Sequence, residues 1–302
     1  MHQNDKVYLI HEGALGDFLL AWPAILSLAR RLAGRELLWA GRAAYLPWVS
    51  PLGFSPCPPR VADLLQGLPA SGPWPPDAPP GAVIRFGLLD RPGEDQPGRW
   101  RLAGVVPGRS PRDVYAEALA GRGVPFAPDW LATFQGLFGR AAAAGDRILL
   151  FPGGGHRLKH WPRVQFLELA RRLSSRGLDP VFVLGPVELE RGFAAEGVPV
   201  LAPPDLAALQ QALLAARLAL GNDCGPMHLA GMLGLPGAVL FGPTSARQWA
   251  PPGITAIRGR TGCRPCTLTT ADLECPEADP APPCLTGISL DTVWEAALRL
   301  LA

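Results

Sequence analysis

The sequence predicts an α/β protein made of two Rossmann-like, doubly wound parallel-sheet domains facing a cleft. Three observations lead there. Apolar runs of strand length alternate with segments of helical period along most of the 302 residues. Glycine-rich turns follow several of those runs. The length suffices for two core-bearing units, with a boundary near residues 141–146. We therefore expect an N-terminal domain over 1–143, a C-terminal domain over 144–288, and a terminal helix over 289–302 that packs back toward the N-terminal domain.

The first half opens with a strand over 7–10, "VYLI", and the turn "HEGALGD". A helix follows, with Leu19, Trp22, Ile25, Leu26, Ala29 and Leu32 on one face. "ELLWAG" and "AVIRFG" are further strands, joined by the Pro-rich surface connection "PASGPWPPDAPPG". "RPGEDQPGRWR" over 91–101 reads as an arginine-bearing loop, and "SPRDVYAEALAGRG" as a helix with a Ser cap and Pro at its start.

The second half is more regular. "RILLFPGGG" is a strand ending in glycines, and "WPRVQFLELARRLSSRG" an amphipathic helix that starts at Pro162 and stops at Gly177. "PVFVLG" is a strand, "VELERGFAAEG" a helix, "VPVL" a strand and "PDLAALQQALLAAR" a helix. A strand at 218–220, a helix at 227–233 and a strand at 238–241 follow, and "SLDTVWEAALRLLA" closes the chain as a helix.

Composition narrows the function. A formal charge of +2 gives no strong field for nucleic acid, and no nucleic-acid partner is expected. No apolar run approaches the roughly 18 residues that span a bilayer, and "MHQNDKVYLIHEG" lacks a signal-peptide layout, so a cytoplasmic place is expected. The chain is expected to be a monomer.

Parallel sheets bind ligands beyond the carboxyl ends of their strands. Four loops lie at such ends: 13–17, 153–160, 185–188 and 222–228. In the last, Asp223 and Cys224 precede a helix with Pro226 in its first turn. The first N–H groups of that helix have no intrahelical partners and favour an anion such as phosphate; a plain helix cap is the alternative. Lys159 stands just ahead of a helix N-terminus, where a cation is disfavoured unless something anionic compensates. Either it contacts a diphosphate beside Gly153, Gly154 and Gly155, or it is a solvated loop lysine. The loop lacks Walker A spacing, and "GALGD" lacks the third glycine of the dinucleotide fingerprint. Asp17 is either a helix cap or a general base. His228 is either a site residue one turn from the anion pole or a buried helix residue.

Three segments, "GALGDFLLAWPAI", "FPGGGHRLKHWP" and "NDCGPMHLAGMLGLPGAVLFGPT", resemble the signatures of glycosyltransferase family 9, the lipopolysaccharide heptosyltransferase family with the GT-B fold. The resemblance runs through nearly the whole chain in order and is poorest over 45–140. It implies an inverting, metal-independent transfer, without cofactor, from a nucleotide-sugar donor, usually ADP-heptose, to a lipopolysaccharide-core or other lipid-linked acceptor. It makes Asp17 the base and Lys159 the phosphate-binding lysine, with Gly154 and Gly155 where relatives often have Thr or Ser. Glu188 takes the place of an acid that holds the ribose. Asp223, Gly225 and His228 match the third signature, and Cys224 stands where relatives have Ser or Thr. Gly13, Gly16, Gly185 and Thr244 complete the expected donor site.

Anionic acceptors would suit an arginine cluster of Arg85, Arg91, Arg99, Arg101, Arg109 and Arg112 in the segment least like the family. Arg91, Arg99 and Arg101 are the expected acceptor contacts. The cluster would also hold the protein peripherally at the anionic inner face of the cytoplasmic membrane. Cys263, Cys266, Cys275 and Cys284 share one segment and are reduced thiols, disulfides or a structural zinc site. Two other classes stay open: a catalytically idle nucleotide-sugar-binding relative, and another two-Rossmann enzyme such as a nucleotide-sugar epimerase.

Overall fold

The computed structural model describes residues 5–68, 74, 79–88, 96–139, 145–259, 266, 273–278 and 281–302. Its contacts divide the chain into two compact units, Met1–Thr133 and Phe134–Ala302. The division falls inside a helix, ahead of the expected boundary, whose residues 141–144 lie outside the described ones.

In the first unit β1 (Lys6–His11) leads into α1 (Leu15–Arg31), then β2 (Glu36–Trp39), β3 (Phe54–Pro56), α2 (Pro59–Gln66), β4 (Ala82–Gly87), β5 (Arg99–Ala103) and α3 (Pro111–Ala120). The strands form one parallel sheet in the order β3-β2-β1-β4-β5. The order reverses between β1 and β4, so the turn after β1 emerges at the switch point, where open α/β sheets bind ligands. Residues Phe18 to Ala29 of α1 are all buried, which makes it a core helix rather than a half-exposed one.

The expected loop over 91–101 is corrected in its last part: Arg99–Ala103 is an edge strand, paired in parallel with β4 and placing Arg101 opposite Arg85. Alternation hid it, because its inward arginine looks polar in sequence. Arg101 is 2 % exposed, and its guanidinium lies 4.1 Å from the Trp74 ring. Stacking on an indole is how a buried arginine keeps a favourable neighbour.

α4 (Trp130–Phe138) joins the units in sequence. The second unit then runs β6 (Arg147–Phe151), α5 (Arg163–Ser174), β7 (Asp179–Val183), α6 (Pro186–Glu190), β8 (Val200–Leu201), α7 (Leu206–Ala215), β9 (Leu218–Asn222), α8 (Gly225–Met232), β10 (Gly237–Phe241), α9 (Ala246–Trp249), β11 (Thr255–Arg258), α10 (Pro283–Thr286) and α11 (Leu290–Leu301). Its sheet is again parallel, in the order β11-β10-β9-β6-β7-β8. Here the switch point lies between β6 and β9, so the loops after these two strands are neighbours. The helix expected over 187–197 stops at Glu190 and gives way to a turn at Gly192, whose φ is +66°.

The terminal helix packs on the sheet of its own unit. Val293, Ala296 and Ala297 of α11 lie in one core cluster with Ile148, Leu150, Leu218 and Leu240 of the second sheet. Their spacing puts them on one helical face, and the sheet of their own unit buries it. Ala297→Asp should therefore lower the melting temperature sharply, since it drives a carboxylate into that cluster. Glu295→Gln on the exposed side should stay within about 0.5 kcal/mol of wild type in the same thermal scan.

Candidate functional site

The second unit concentrates charge at its switch point. The loop after β6 closes with a short 3-10 turn, Arg157–Lys159, capped by His156, whose Nδ1 accepts the Leu158 N–H. The loop after β9 supplies Asp223 and Cys224 ahead of α8. Lys159 Nζ lies 2.6 Å from Asp223 Oδ2, with the two side chains 12 % and 7 % exposed. The Thr244 hydroxyl, in the loop after β10, donates to the same oxygen at 2.7 Å. Lys159 is thus not a solvated loop lysine. The anion its position asks for is supplied within the chain by Asp223.

The three glycines after β6 are not equivalent. A side chain on Gly153 would meet the Glu188 carboxylate, which would have to swing aside. One on Gly154 would make only ordinary contact with the His160 ring and the Asp223 carbonyl, and one on Gly155 would meet open space. Glu188, in the first turn of α6, accepts the Gly185 N–H at 3.0 Å through Oε2. It lines a pocket of about 450 Å³ together with His160, Trp161, Arg163, Arg191 and Phe193. The His160 ring pairs with the Gly154 carbonyl at 3.3 Å, and burial pulls its pKa below the usual histidine value.

Cys224 is the N-cap of α8 but makes no side-chain cap, and burial pushes its thiol up to about 12, so it stands there as a neutral group. Gly225 opens the helix. His228, 4 % exposed, lies inside it among its buried residues, which is the packing its alternative reading foresaw.

In the first unit Asp17 sits in the first turn of α1, and its Oδ2 accepts the Ala14 N–H at 3.2 Å. The cap expected of it is present. Gly16 is its neighbour in that turn. Gly13 is forced by space: a Cβ there would come within 2.9 Å of both the Asp17 Cβ and the His11 Cε1. The Gly13 carbonyl accepts the Tyr45 hydroxyl at 3.0 Å. Beside Glu12 a second pocket, of about 540 Å³, is lined by Trp39, Arg42, Cys57 and Gln66 among others.

Residues 132–275 match the model of glycosyltransferase family 9 (heptosyltransferase). Over that stretch the chain resembles the family 9 glycosyltransferases. It is 35% identical over 134 residues to the lipopolysaccharide heptosyltransferase 1 of Pseudomonas aeruginosa, a match over 40% of this chain and 36% of that relative. The chain thus spans about a third of the length of the curated relative it matches. In fold the likeness is longer. A family 9 glycosyltransferase from Veillonella parvula aligns over 100% of this chain and 98% of its own, at 19% identity and a TM-score of 0.65. The E. coli heptosyltransferase WaaC with ADP aligns over 98% and 99%, at 16% identity and a TM-score of 0.64. The two parallel sheets are those of the GT-B fold.

The matched stretch contains Gly154, Gly155, Lys159, Gly185, Glu188, Asp223, Cys224, Gly225, His228 and Thr244; Gly13, Gly16 and Asp17 precede it. The arginine cluster comes apart. Arg91 lies outside the described residues, and Arg99 is half-buried in β5. Arg101 is corrected from an acceptor contact to a core residue, because it is buried on Trp74. Arg85 pairs with Glu12 at 3.3 Å, Arg109 with Glu117 at 2.7 Å, and Arg112 lies 5.9 Å from the Trp130 ring. Of the late cysteines, Cys263 is outside the described residues, Cys266 is exposed, Cys275 half-buried and Cys284 buried in α10. Among the described residues no group of three His, Cys, Asp or Glu side chains is placed to hold a metal ion.

Two buried polar side chains beside the expected site residues were missed in sequence, and both end an apolar strand. Asn222 ends β9. His11 ends β1 at 1 % exposure, edge-on to Phe18 with ring centroids 5.6 Å apart. Burial lowers the His11 pKa from 6.5 to about 4, partly offset by a hydrogen bond with the Asp17 backbone. The sign follows directly. Between those values the unfolded chain binds a proton that the folded chain refuses, so stability falls as pH drops from 6.5 to about 4. The loss should reach about 3 kcal/mol. Urea unfolding at pH 7 and pH 4.5 should show a smaller difference for His11→Phe than for wild type. Equal differences would mean that His11 is not held neutral.

Proposed function

We propose that the chain is an inverting, metal-independent glycosyltransferase that moves a sugar, heptose from ADP-heptose, onto a lipopolysaccharide-core or other lipid-linked acceptor. The observation that carries this is the half-buried Lys159, paired with Asp223 at the switch point of the second sheet, beside the N-terminus of α8. A nucleoside diphosphate leaves with developing negative charge, and preorganised donors that meet it lower the barrier. Lys159 supplies a point charge, and the Gly225 N–H at the start of α8 supplies a backbone donor, since Pro226 has none and the Met227 N–H bonds the Cys224 carbonyl. Lys159 then does what a divalent cation does in other transferases. Glu188, already oriented by the Gly185 N–H, takes a ribose hydroxyl.

In the first unit Asp17 accepts the proton of the attacking acceptor hydroxyl as that oxygen bonds to the anomeric carbon. The bond to the diphosphate breaks on the opposite face, which inverts the centre. The Ala14 N–H holds Asp17 Oδ2, which orients the carboxylate without consuming its acceptor capacity. The acceptor is best placed in the pocket that borders Glu12 and Arg42, because that pocket adjoins the Asp17 turn in sequence and offers a guanidinium to an anionic group. No helix among the described residues is long and apolar enough to cross a membrane. A lipid-linked acceptor is then reached by peripheral contact with the membrane surface.

Asp17→Asn should keep the fold, since Asn also serves at helix starts. Turnover should drop by about two to four orders of magnitude with ADP affinity nearly unchanged. Near-normal turnover would remove Asp17 from the chemistry.

Lys159→Ala should weaken ADP in calorimetric titrations, and Lys159→Arg should recover only part, because a planar fork replaces a point charge. Coincident titrations of wild type and Lys159→Ala would exclude the contact. Transfer should persist in EDTA; activity lost to the chelator and restored by a divalent cation would overturn the metal-free mechanism.

A further inference from the structure

The loop that carries Lys159 begins at Pro152, where β6 ends, and closes at Trp161, just before α5. One side chain touches both of these points. Asn222, 0 % exposed, donates from Nδ2 to the Pro152 carbonyl at 2.6 Å and accepts the Trp161 N–H on Oδ1 at 2.9 Å. The far end is itself fixed. Trp161 is 1 % exposed, and its indole N–H donates to the Ile288 carbonyl at 2.9 Å. The residue after Asn222 is Asp223, which takes the Lys159 ammonium. Consecutive residues of one strand end therefore fasten the loop and receive its lysine.

We infer that Asn222 is a positioning residue for the donor: by stapling both ends of the loop it sets where Lys159 presents its ammonium to the diphosphate. This rests on the reading that Lys159 contacts that diphosphate. The staple needs an amide. A primary amide carries a donor and an acceptor on one planar group, whereas a carboxylate of the same shape only accepts. Asn222→Asp keeps the volume and the acceptor for Trp161 but opposes a carboxylate to the Pro152 carbonyl. The loop then loses its near fastening, although every residue from 152 to 161 is unchanged.

A purely structural asparagine would lower stability and leave donor binding by the folded fraction intact. The test separates these outcomes. ADP binding is measured by calorimetry on wild type, Asn222→Asp, Lys159→Ala and the double variant, at a temperature where each is folded. Amide exchange at Trp161 is followed in parallel. Asn222→Asp is expected to weaken ADP by about tenfold, with faster exchange at Trp161, and this loss should shrink toward nothing once Lys159 is alanine, as coupled sites behave. Should Asn222→Asp not fold, Asn222→Ser carries the same measurement. If the Asn222 variant binds ADP like wild type, or if its loss stays whole in the Lys159→Ala background, the inference fails while the donor reading of Lys159 stands. If Lys159→Ala alone leaves ADP binding unchanged, the donor reading itself falls and takes the inference with it.

Discussion

The pair of half-buried Lys159 and buried Asp223 is the constraint on which the second unit depends. Two charged groups held almost out of water demand partners on every side, since a lone buried ion is strongly destabilising. The fold meets this demand from three strand ends. β6 leads to the lysine, β9 to the carboxylate, and the loop after β10 to the Thr244 hydroxyl that shares Asp223 Oδ2. These strands are adjacent in the sheet, so a shift of any one would leave a buried charge unpaired. The same adjacency suits the spot to the anionic ligand proposed for it. An ammonium has three donors and Asp223 takes one, so an incoming anion can share Lys159 without first stripping it of its partner.

Much of this was legible in the sequence, and the reason is periodicity. β6, β7, β9 and β10 are short apolar runs between helical segments, and a parallel order places their following loops on one edge. Glycines, Lys159 and Asp223 at those ends could be read as one site before any distance was known. What the pattern could not give was pairing. Nothing in the spacing says that Lys159 meets Asp223, or that the Asn222 amide faces Pro152 and Trp161, because those contacts follow from strand order and register. The same limit explains β5. An alternating strand with arginines on it looks like a loop until Trp74 is seen beneath Arg101. The terminal helix was legible as a helix, but the sheet that buries its apolar face was not.

The glycines show how spatial demand differs from motif membership. Gly13 and Gly153 each lie against an acidic side chain, Asp17 in one unit and Glu188 in the other. Each carboxylate also accepts a backbone N–H at the start of its own helix, from Ala14 and from Gly185. The two units therefore repeat one device. A strand ends, a glycine makes room, and an acid in the first turn of a helix is locked against the backbone. Gly154 and Gly155 take no part in it, and a side chain at either position would find room.

This repetition reconciles capping with the general-base role proposed for Asp17. A base must be held in one orientation before its substrate arrives, because reorganising a flexible carboxylate would raise the barrier. An acid at the third position of a helix, bonded back to the residue before that helix, has that orientation built in. Gly13 admits it and neutral His11 closes its far side, with Phe18 and Tyr45 packed on the imidazole. A protonated histidine there would place a cation against the carboxylate and weaken it as a base. Burial, which holds the His11 pKa near 4, keeps that cation away at neutral pH. The hydrophobic wall behind the turn is thus part of the electrostatics in front of it.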